Sequence, residues 1–185
     1  DLGLGGTRLL LDVGGTSLDV HIRLLGAHQA DNARTAVATL GQLPKVGISV
    51  DIGAIGAGIA GVEWPARNQL VTRDPIPVLV DGAHNDASAR TLRKTIEQLF
   101  PERRGVILIL GTVRGHDPSV VARELAPLKP RIVVTETRHP KSLTTIELSE
   151  VLSECNIVVT AIASDTREAL EEARVLAVDG DLIIG

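Results

Sequence analysis

Aromatic residues are almost missing from this 185-residue chain: Trp64 and Phe100 are its only two, and tyrosine is absent. A core must then be packed from Val, Ile, Leu and Ala, and the ring platforms on which single-stranded nucleic acid stacks its bases are excluded. Cysteine is nearly absent too. Cys155 alone can form no internal disulfide and offers no thiolate metal set, which fits a reducing, cytoplasmic setting. Lying beside a β-branched run, it reads as a small core residue. No apolar run approaches a membrane span. Nor do the 19 basic residues, set among 23 acidic ones for a net charge of -4, form a stripe that could follow a phosphate backbone. Neither membrane nor nucleic acid is an expected partner. Methionine is missing even at the start, where Asp1-Leu2-Gly3 resembles neither a signal peptide nor a natural beginning, so the chain reads as an excised piece of a longer protein. No G-x-x-x-x-G-K-[ST] phosphate loop occurs anywhere in it. His21, His28, His116 and His139 show no ligand-like spacing, and no metal site is expected.

What is present is globular in kind, with 44% hydrophobic and 23% charged residues and length enough for one domain plus part of another. Arg8 to Val13 and Thr16 to Arg23 alternate as strands around Gly14-Gly15, whose tolerance of positive φ suits a tight hairpin. Ala33, Ala36, Val37 and Leu40 recur at helical spacing, with Gly41 placed for a left-handed cap. A glycine-diluted helix carrying Ile52, Ile55 and Ile59 is expected to end before Trp64-Pro65. Beyond this point short β-branched runs alternate with amphipathic helices, the pattern of a parallel sheet with helical crossovers. The expected strands are Val78 to Val80, Val106 to Leu110, Ile132 to Thr135, Ile157 to Thr160 and Leu182 to Ile184. Helix starts are marked by Asn85, by Asp117-Pro118, and by the capping-box pairs Thr144 with Glu147 and Asp165 with Glu168.

The segment Val78-Leu79-Val80-Asp81-Gly82-Ala83-His84-Asn85 runs a buried strand into a loop and a helix, where ligands collect in open α/β sheets. Asp81 can accept from a sugar hydroxyl, Gly82 allows close backbone approach, and His84 and Asn85 bring a titratable ring and an amide to a helix N-terminus. The same residues equally suit a plain turn with Asn85 as N-cap. Gly56-Ala57-Gly58-Ile59-Ala60-Gly61 fits the dinucleotide fingerprint G-x-G-x-x-G, but Pro65 leaves no room for the helix that must start within it, so the match is discounted. The Arg138-His139-Pro140-Lys141 cluster reads as a solvated loop.

The strand-DGAHN-helix segment resembles the C-terminal-domain signature of folylpolyglutamate and dihydrofolate synthases in the Mur ligase superfamily. Two other stretches agree in order and spacing. His28-Gln29-Ala30-Asp31-Asn32-Ala33 resembles the family's HQ-x-x-NA helix start, and Trp64-Pro65-Ala66-Arg67 its WPGR segment. The resemblance implies an α/β fold: a remnant of the central ATPase domain over residues 1–62, then a Rossmann-like C-terminal domain over 63–185 with a mostly parallel sheet and flanking helices. It also implies ATP- and Mg2+-dependent ligation in the parent enzyme, joining L-glutamate to folate or to dihydropteroate through an acyl phosphate. Carried onto matching positions, Arg67 and Asp81 contact the nucleotide, with Asn85 a weaker candidate there, and His84 lies near the incoming glutamate and the reacting phosphate. Two departures are visible within the chain. Ala66 stands where the family usually has glycine, implying a different backbone path beside Arg67, and Arg114-Gly115-His116-Asp117 replaces an acidic-lysine-acidic stretch. Without a phosphate loop, this piece alone is expected to be inactive and to hold no cofactor, and its orphaned hairpin invites pairing between copies. The rival expectations are another Mur-type amide ligase, or a binding module on the same fold.

Overall fold

The computed structural model describes residues 2–72 and 75–185; Asp1, Arg73 and Asp74 lie outside the described residues. Two compact units make up the chain, one ending at Gln69 and the other running Leu70–Gly185.

The first unit opens with an antiparallel hairpin, β1 (Thr7–Val13) and β2 (Thr16–Ile22), whose register pairs Val13 with Thr16 and Leu9 with Val20. Gly14 and Gly15 turn the chain with φ of 59° and 87°, the sign a two-residue hairpin loop demands. Strand alternation sends Leu9, Leu11, Val20 and Ile22 inward, where they meet Ala30, Ala33 and Val37 of α1 (His28–Leu40) and Ile55 of α2 (Ile52–Ala60). The expected left-handed cap at Gly41 is not formed: its φ is -63°, and the left-handed turn comes at Gly47 instead. The reason is Pro44, which carries the chain at once into a short 3-10 turn, Leu43–Val46, so the helical sense continues past Gly41. The run Gly56 to Gly61 lies at the C-terminal end of α2. That end offers carbonyls rather than the N–H groups a pyrophosphate needs, so the fingerprint match is accidental.

The second unit is a six-stranded sheet in the order β3-β4-β8-β5-β6-β7. Its elements follow one another as β3 (Gln69–Thr72), β4 (Val78–Val80), α3 (Asp86–Leu99), β5 (Val106–Leu110), α4 (Pro118–Leu125), β6 (Arg131–Thr135), α5 (Thr145–Glu154), β7 (Ala161–Ala163), α6 (Thr166–Leu176) and β8 (Leu182–Ile184). The pairs β4–β8, β8–β5, β5–β6 and β6–β7 are all parallel. Helix α3 packs on α4 and α4 on α5, while α6 packs on β5, β6 and β7. Ala169 and Ala173 of α6 share a core with Val78, Ile107, Val133 and Ile183. The alternate residues Leu79, Leu108, Val134 and Leu182 are buried too, so both faces of the sheet are covered, as a parallel sheet requires.

The expected strand over 157–160 lies farther on, at Ala161–Ala163. Asn156 leaves α5 in a left-handed conformation, φ 57°, and Ile157 N–H returns to the Leu152 carbonyl. The following residues are thus used to travel back from the helix end, and Val158 is 81% exposed. Contact with β6 starts at Thr160, whose N–H donates to Ile132 O at 2.7 Å. Strand β3 was not anticipated at all. Cys155 is half-buried at the end of α5 rather than in the core, with the Arg123 guanidinium donating to its sulfur at 2.8 Å.

Carboxylates begin the later helices. Thr144 and Glu147 form the full reciprocal box on α5. On α6, Asp165 accepts from the N–H groups of Arg167 and Glu168, but Glu168 reaches back to Ser164 rather than to Asp165, so the box is displaced by one residue. The Thr144 N–H, with Arg114 beside it, holds the Glu147 carboxyl below the usual range. The Glu168 and Arg167 N–H groups do the same for Asp165, and the Ser164 hydroxyl and N–H for Glu168. A carboxylate whose folded pKa is depressed stabilises above its unfolded value and loses that contribution as pH falls through the folded one. Protection of the amides in the first turns of α5 and α6, relative to unstructured peptide at the same pH, should therefore fall below about pH 4, with Glu147→Gln abolishing the α5 part of the effect. Equal protection at pH 3 and pH 6 would contradict this.

At the opposite end of the sheet Asp181, only 2% exposed, pairs with Arg131 and accepts from Val178 N–H at 3.0 Å. Asp181→Ala leaves the Val178 N–H without its acceptor and the partly exposed Arg131 without its partner, so it should cost about 1–3 kcal/mol in urea unfolding. A loss below about 1 kcal/mol, the level of an exposed pair, would show the bridge to be peripheral.

Candidate functional site

In a parallel sheet the loops that follow the strands emerge on one edge, and here the loops after the two strands that flank β8 face each other. The loop after β4 carries Asp81 to Asn85. The loop after β5 carries Gly111 to Asp117. Together they line a cleft of about 260 Å3 whose walls include Asp81, Gly82, His84, Thr112 and His116. Gly111 stands where a side chain would be crowded: a Cβ there would lie 3.0 Å from the Thr135 carbonyl oxygen and 3.1 Å from the Thr137 methyl. The close approach of β5 and β6 at this edge depends on that glycine.

Asp81 is positioned by backbone bonds to the end of β8. Its N–H donates to Gly185 O at 2.8 Å, and Gly185 N–H donates to Leu79 O at 3.0 Å. Its half-buried carboxyl group lines the cleft. Asn85 caps α3: its side-chain oxygen accepts from Ser88 N–H at 2.9 Å, while the Ser88 hydroxyl accepts from the N–H groups of Asn85 and His84, each at 3.1 Å. That oxygen is committed to the helix. Ser88, the capping partner, went unnoticed in the sequence.

His84 Nδ1 lies 2.8 Å from Gly82 O. A carbonyl can only accept, so Nδ1 carries the proton, and a neutral ring then keeps its lone pair on Nε2. The Asn85 amide nitrogen is 3.5 Å from that Nε2, at the edge of hydrogen-bonding range. The exposed ring of His84 meets the exposed ring of His116, with centroids 4.6 Å apart and planes tilted by 59°. Sequence reasoning set His116 aside because no local spacing tied it to His84. The signal that could have found it is topological: both follow strands of one parallel sheet, and residues just past such strand ends converge.

Arg67 belongs to the other unit. Its exposed guanidinium sits over the Trp64 ring, 5.8 Å from the centroid, and both residues line a groove of about 630 Å3 between α1 and α2. The neighbouring backbone is unusual, with Ala66 at φ 54° and Asn68 at φ 48°. Ala66 N–H donates to the Gln69 side-chain oxygen at 3.0 Å. Alanine here holds the left-handed conformation that glycine would take without strain. Among the described residues no group of three or more His, Cys, Asp or Glu is arranged to hold a metal ion.

Residues 66–184 match the family model described as Mur ligase, glutamate ligase domain. The chain is 32% identical over 145 residues to the dihydrofolate synthase/folylpolyglutamate synthase of Mycobacterium tuberculosis, covering 77% of this chain and 29% of that protein. To a probable bifunctional folylpolyglutamate synthase/dihydropteroate synthase of Halobacterium salinarum it is 27% identical, covering 91% of this chain and 20% of the relative. The solved structure of Mycobacterium tuberculosis folylpolyglutamate synthase complexed with ADP and AMPPCP superposes with a TM-score of 0.79 at 28% identity, over 97% of this chain and 42% of that one. The chain thus spans less than a third of the length of these curated relatives.

The strain at Ala66 is measurable. Ala66→Gly should stabilise the protein by about 0.5 kcal/mol, the ~1–2 kcal/mol penalty of left-handed alanine less ~0.5–1 kcal/mol of extra chain entropy in unfolded glycine. Thermal unfolding checks it, and a destabilised variant would mean that the alanine methyl makes contacts outweighing the strain.

Proposed function

The chain belongs to the Mur ligase family through its glutamate ligase domain, and from that premise we propose that it serves as the C-terminal part of an ATP-dependent ligase that adds L-glutamate to a folate or to dihydropteroate. The observation that carries the reading is the Asp81–His84 cleft, built at the strand edge of a domain with folylpolyglutamate synthase relatives. Two further motifs, the helix start at His28 and the turn at Trp64 to Arg67, support the folate branch over the cell-wall branch of the family.

The residues present do not fit a complete nucleotide and magnesium site. There is no phosphate loop in these 185 residues, and the described residues hold no metal cluster. Phosphoryl transfer relies on such positioning and charge neutralisation, so both are assigned to a preceding domain of the gene product. For this chain's own residues the proposed roles follow their chemistry. The Asp81 carboxylate accepts hydrogen bonds from a nucleotide hydroxyl, and Arg67 offers its fork of donors to nucleotide oxygens. His84, with Nδ1–H spent on Gly82 O, presents Nε2 as an acceptor for a proton from the incoming ammonium or amine. Asn85 holds the loop by capping α3 rather than by touching ligand. The single half-buried cysteine is consistent with a cytoplasmic setting.

The test is glutamate-dependent phosphate release from ATP, with a reduced folate or dihydropteroate as acceptor. The 185-residue chain alone should show none. The gene product carrying these residues behind a phosphate-loop domain should show it, and His84→Ala should lower its kcat by about 10²–10⁴. A gene product without such a domain, or one whose activity ignores folate, would defeat the reading.

A further inference from the structure

The tilted meeting of two histidine rings at the cleft is not accounted for by the roles above. His84 takes the proposed catalytic position, yet its side chain is exposed and is held by one short hydrogen bond, Nδ1 to Gly82 O at 2.8 Å, and one long one, the Asn85 amide nitrogen 3.5 Å from Nε2. An exposed imidazole held this lightly ordinarily exchanges between rotamers and tautomers. What fills the remaining side of this ring is His116, at 4.6 Å between centroids and 59° between planes, a geometry in the favourable range for tilted ring pairs.

His116 is itself delivered by a braced loop. Its N–H donates to Val113 O at 3.2 Å, closing a turn through Gly115 at φ 99°. Just before that turn the loop is tied to the segment after β6: Arg114 N–H donates to Lys141 O at 2.8 Å, Leu143 N–H to Thr112 O at 3.0 Å, and Val113 bridges to Ser142. Arg114 adds an ion pair to Glu147 at the start of α5. At the far side, Asp117 caps α4 through Ser119 N–H at 2.9 Å. The ring at position 116 is therefore mounted between a loop–loop clamp and a helix cap, while the ring at position 84 is held by the Gly82 carbonyl and, at the limit of hydrogen-bonding range, by the Asn85 amide.

We propose that His116 is a positioning residue: its ring packs on the His84 imidazole and holds it in the orientation that keeps Nδ1–H on Gly82 O and presents Nε2 to the cleft. The assignment of His84 to the reaction rests on the function proposed above, but the positioning itself does not. It is a property of this chain that can be read without turnover. Packing, rather than proton exchange between the rings, is the operative contact, so any flat ring of similar size at position 116 should serve.

The experiment is nitrogen NMR of the histidine side chains in the 185-residue protein at about pH 8, above the ordinary imidazole range. The wild-type His84 ring should report protonated Nδ1 and unprotonated Nε2. In His116→Ala the Nδ1–H form should lose about two- to tenfold in its ratio to the other tautomer, the factor an aromatic pair contributes. His116→Phe should restore the wild-type signature, whereas His116→Gln, which keeps a polar group without a ring, should not. Because His116 is exposed, backbone amide spectra away from the two loops should stay unchanged in all three, separating the effect from unfolding. A His84 signature unaltered in His116→Ala, or a His116→Phe spectrum matching that of His116→Ala, overturns the proposal. Neither result would touch the ligase assignment, which falls only with the activity measurement.

Discussion

The larger unit depends on the placement of β8. This three-residue strand, Leu182 to Ile184, is buried to within 1% and lies parallel between β4 and β5, which the chain laid down some seventy to a hundred residues earlier. It is held at both ends. Asp181 anchors its start to Arg131 and to Val178 N–H, and Gly185 closes its far end by accepting from Asp81 N–H. The position also creates the switch in winding direction. The chain steps outward through β5, β6 and β7, then returns across them through α6 on the opposite face to reach β8, and right-handed crossovers leave the loops after β4 and β5 on either side of that return. The cleft is a consequence of inserting β8, and the same bond that completes the sheet fixes the first residue of the site.

Features that report their own local geometry were legible in the sequence. Gly14-Gly15 announces a hairpin because few other residues accept two consecutive positive φ angles. Asn85, Asp117, Thr144 and Asp165 announce helix starts because their side chains satisfy N–H groups two or three residues ahead. What could not be read depended on distant partners. Strand β3 is four residues long and owes its state to pairing with β4. Strand β7 slipped from 157–160 to 161–163 because reaching β6, not β-propensity, decides where pairing starts. Cys155, read as core from its apolar neighbours, instead ends a helix, where the Arg123 guanidinium finds it. His116 belongs with these, since its relation to His84 exists only once two loops are brought to one edge.

Ala66 holds a backbone conformation that is costly for its own side chain: its φ of 54° lies in the region glycine occupies freely. The surroundings impose the conformation: Pro65 precedes it, Gln69 binds its N–H, and Asn68, 2% exposed, follows with its own left-handed φ and a side-chain amide donating to Leu25 O at 3.4 Å. A local cost of this kind persists only where neighbours over-determine the backbone. The turn that carries Arg67 is therefore specified by its contacts rather than by the residue at its most demanding position.

Within the Asp81–Asn85 loop the labour divides between holding and presenting. Asn85 and Ser88 exchange bonds that fix the start of α3, and the same serine hydroxyl accepts from His84 N–H, so one capping pair also pins the backbone of the histidine. The Gly82 carbonyl selects which nitrogen of His84 is protonated. The Asp81 backbone is taken by β8. With the loop held in this way, Asp81 and His84 line the cleft. A segment that could be read in the sequence either as a turn or as a ligand site forms the turn, and that turn brings Asp81 and His84 to the cleft wall.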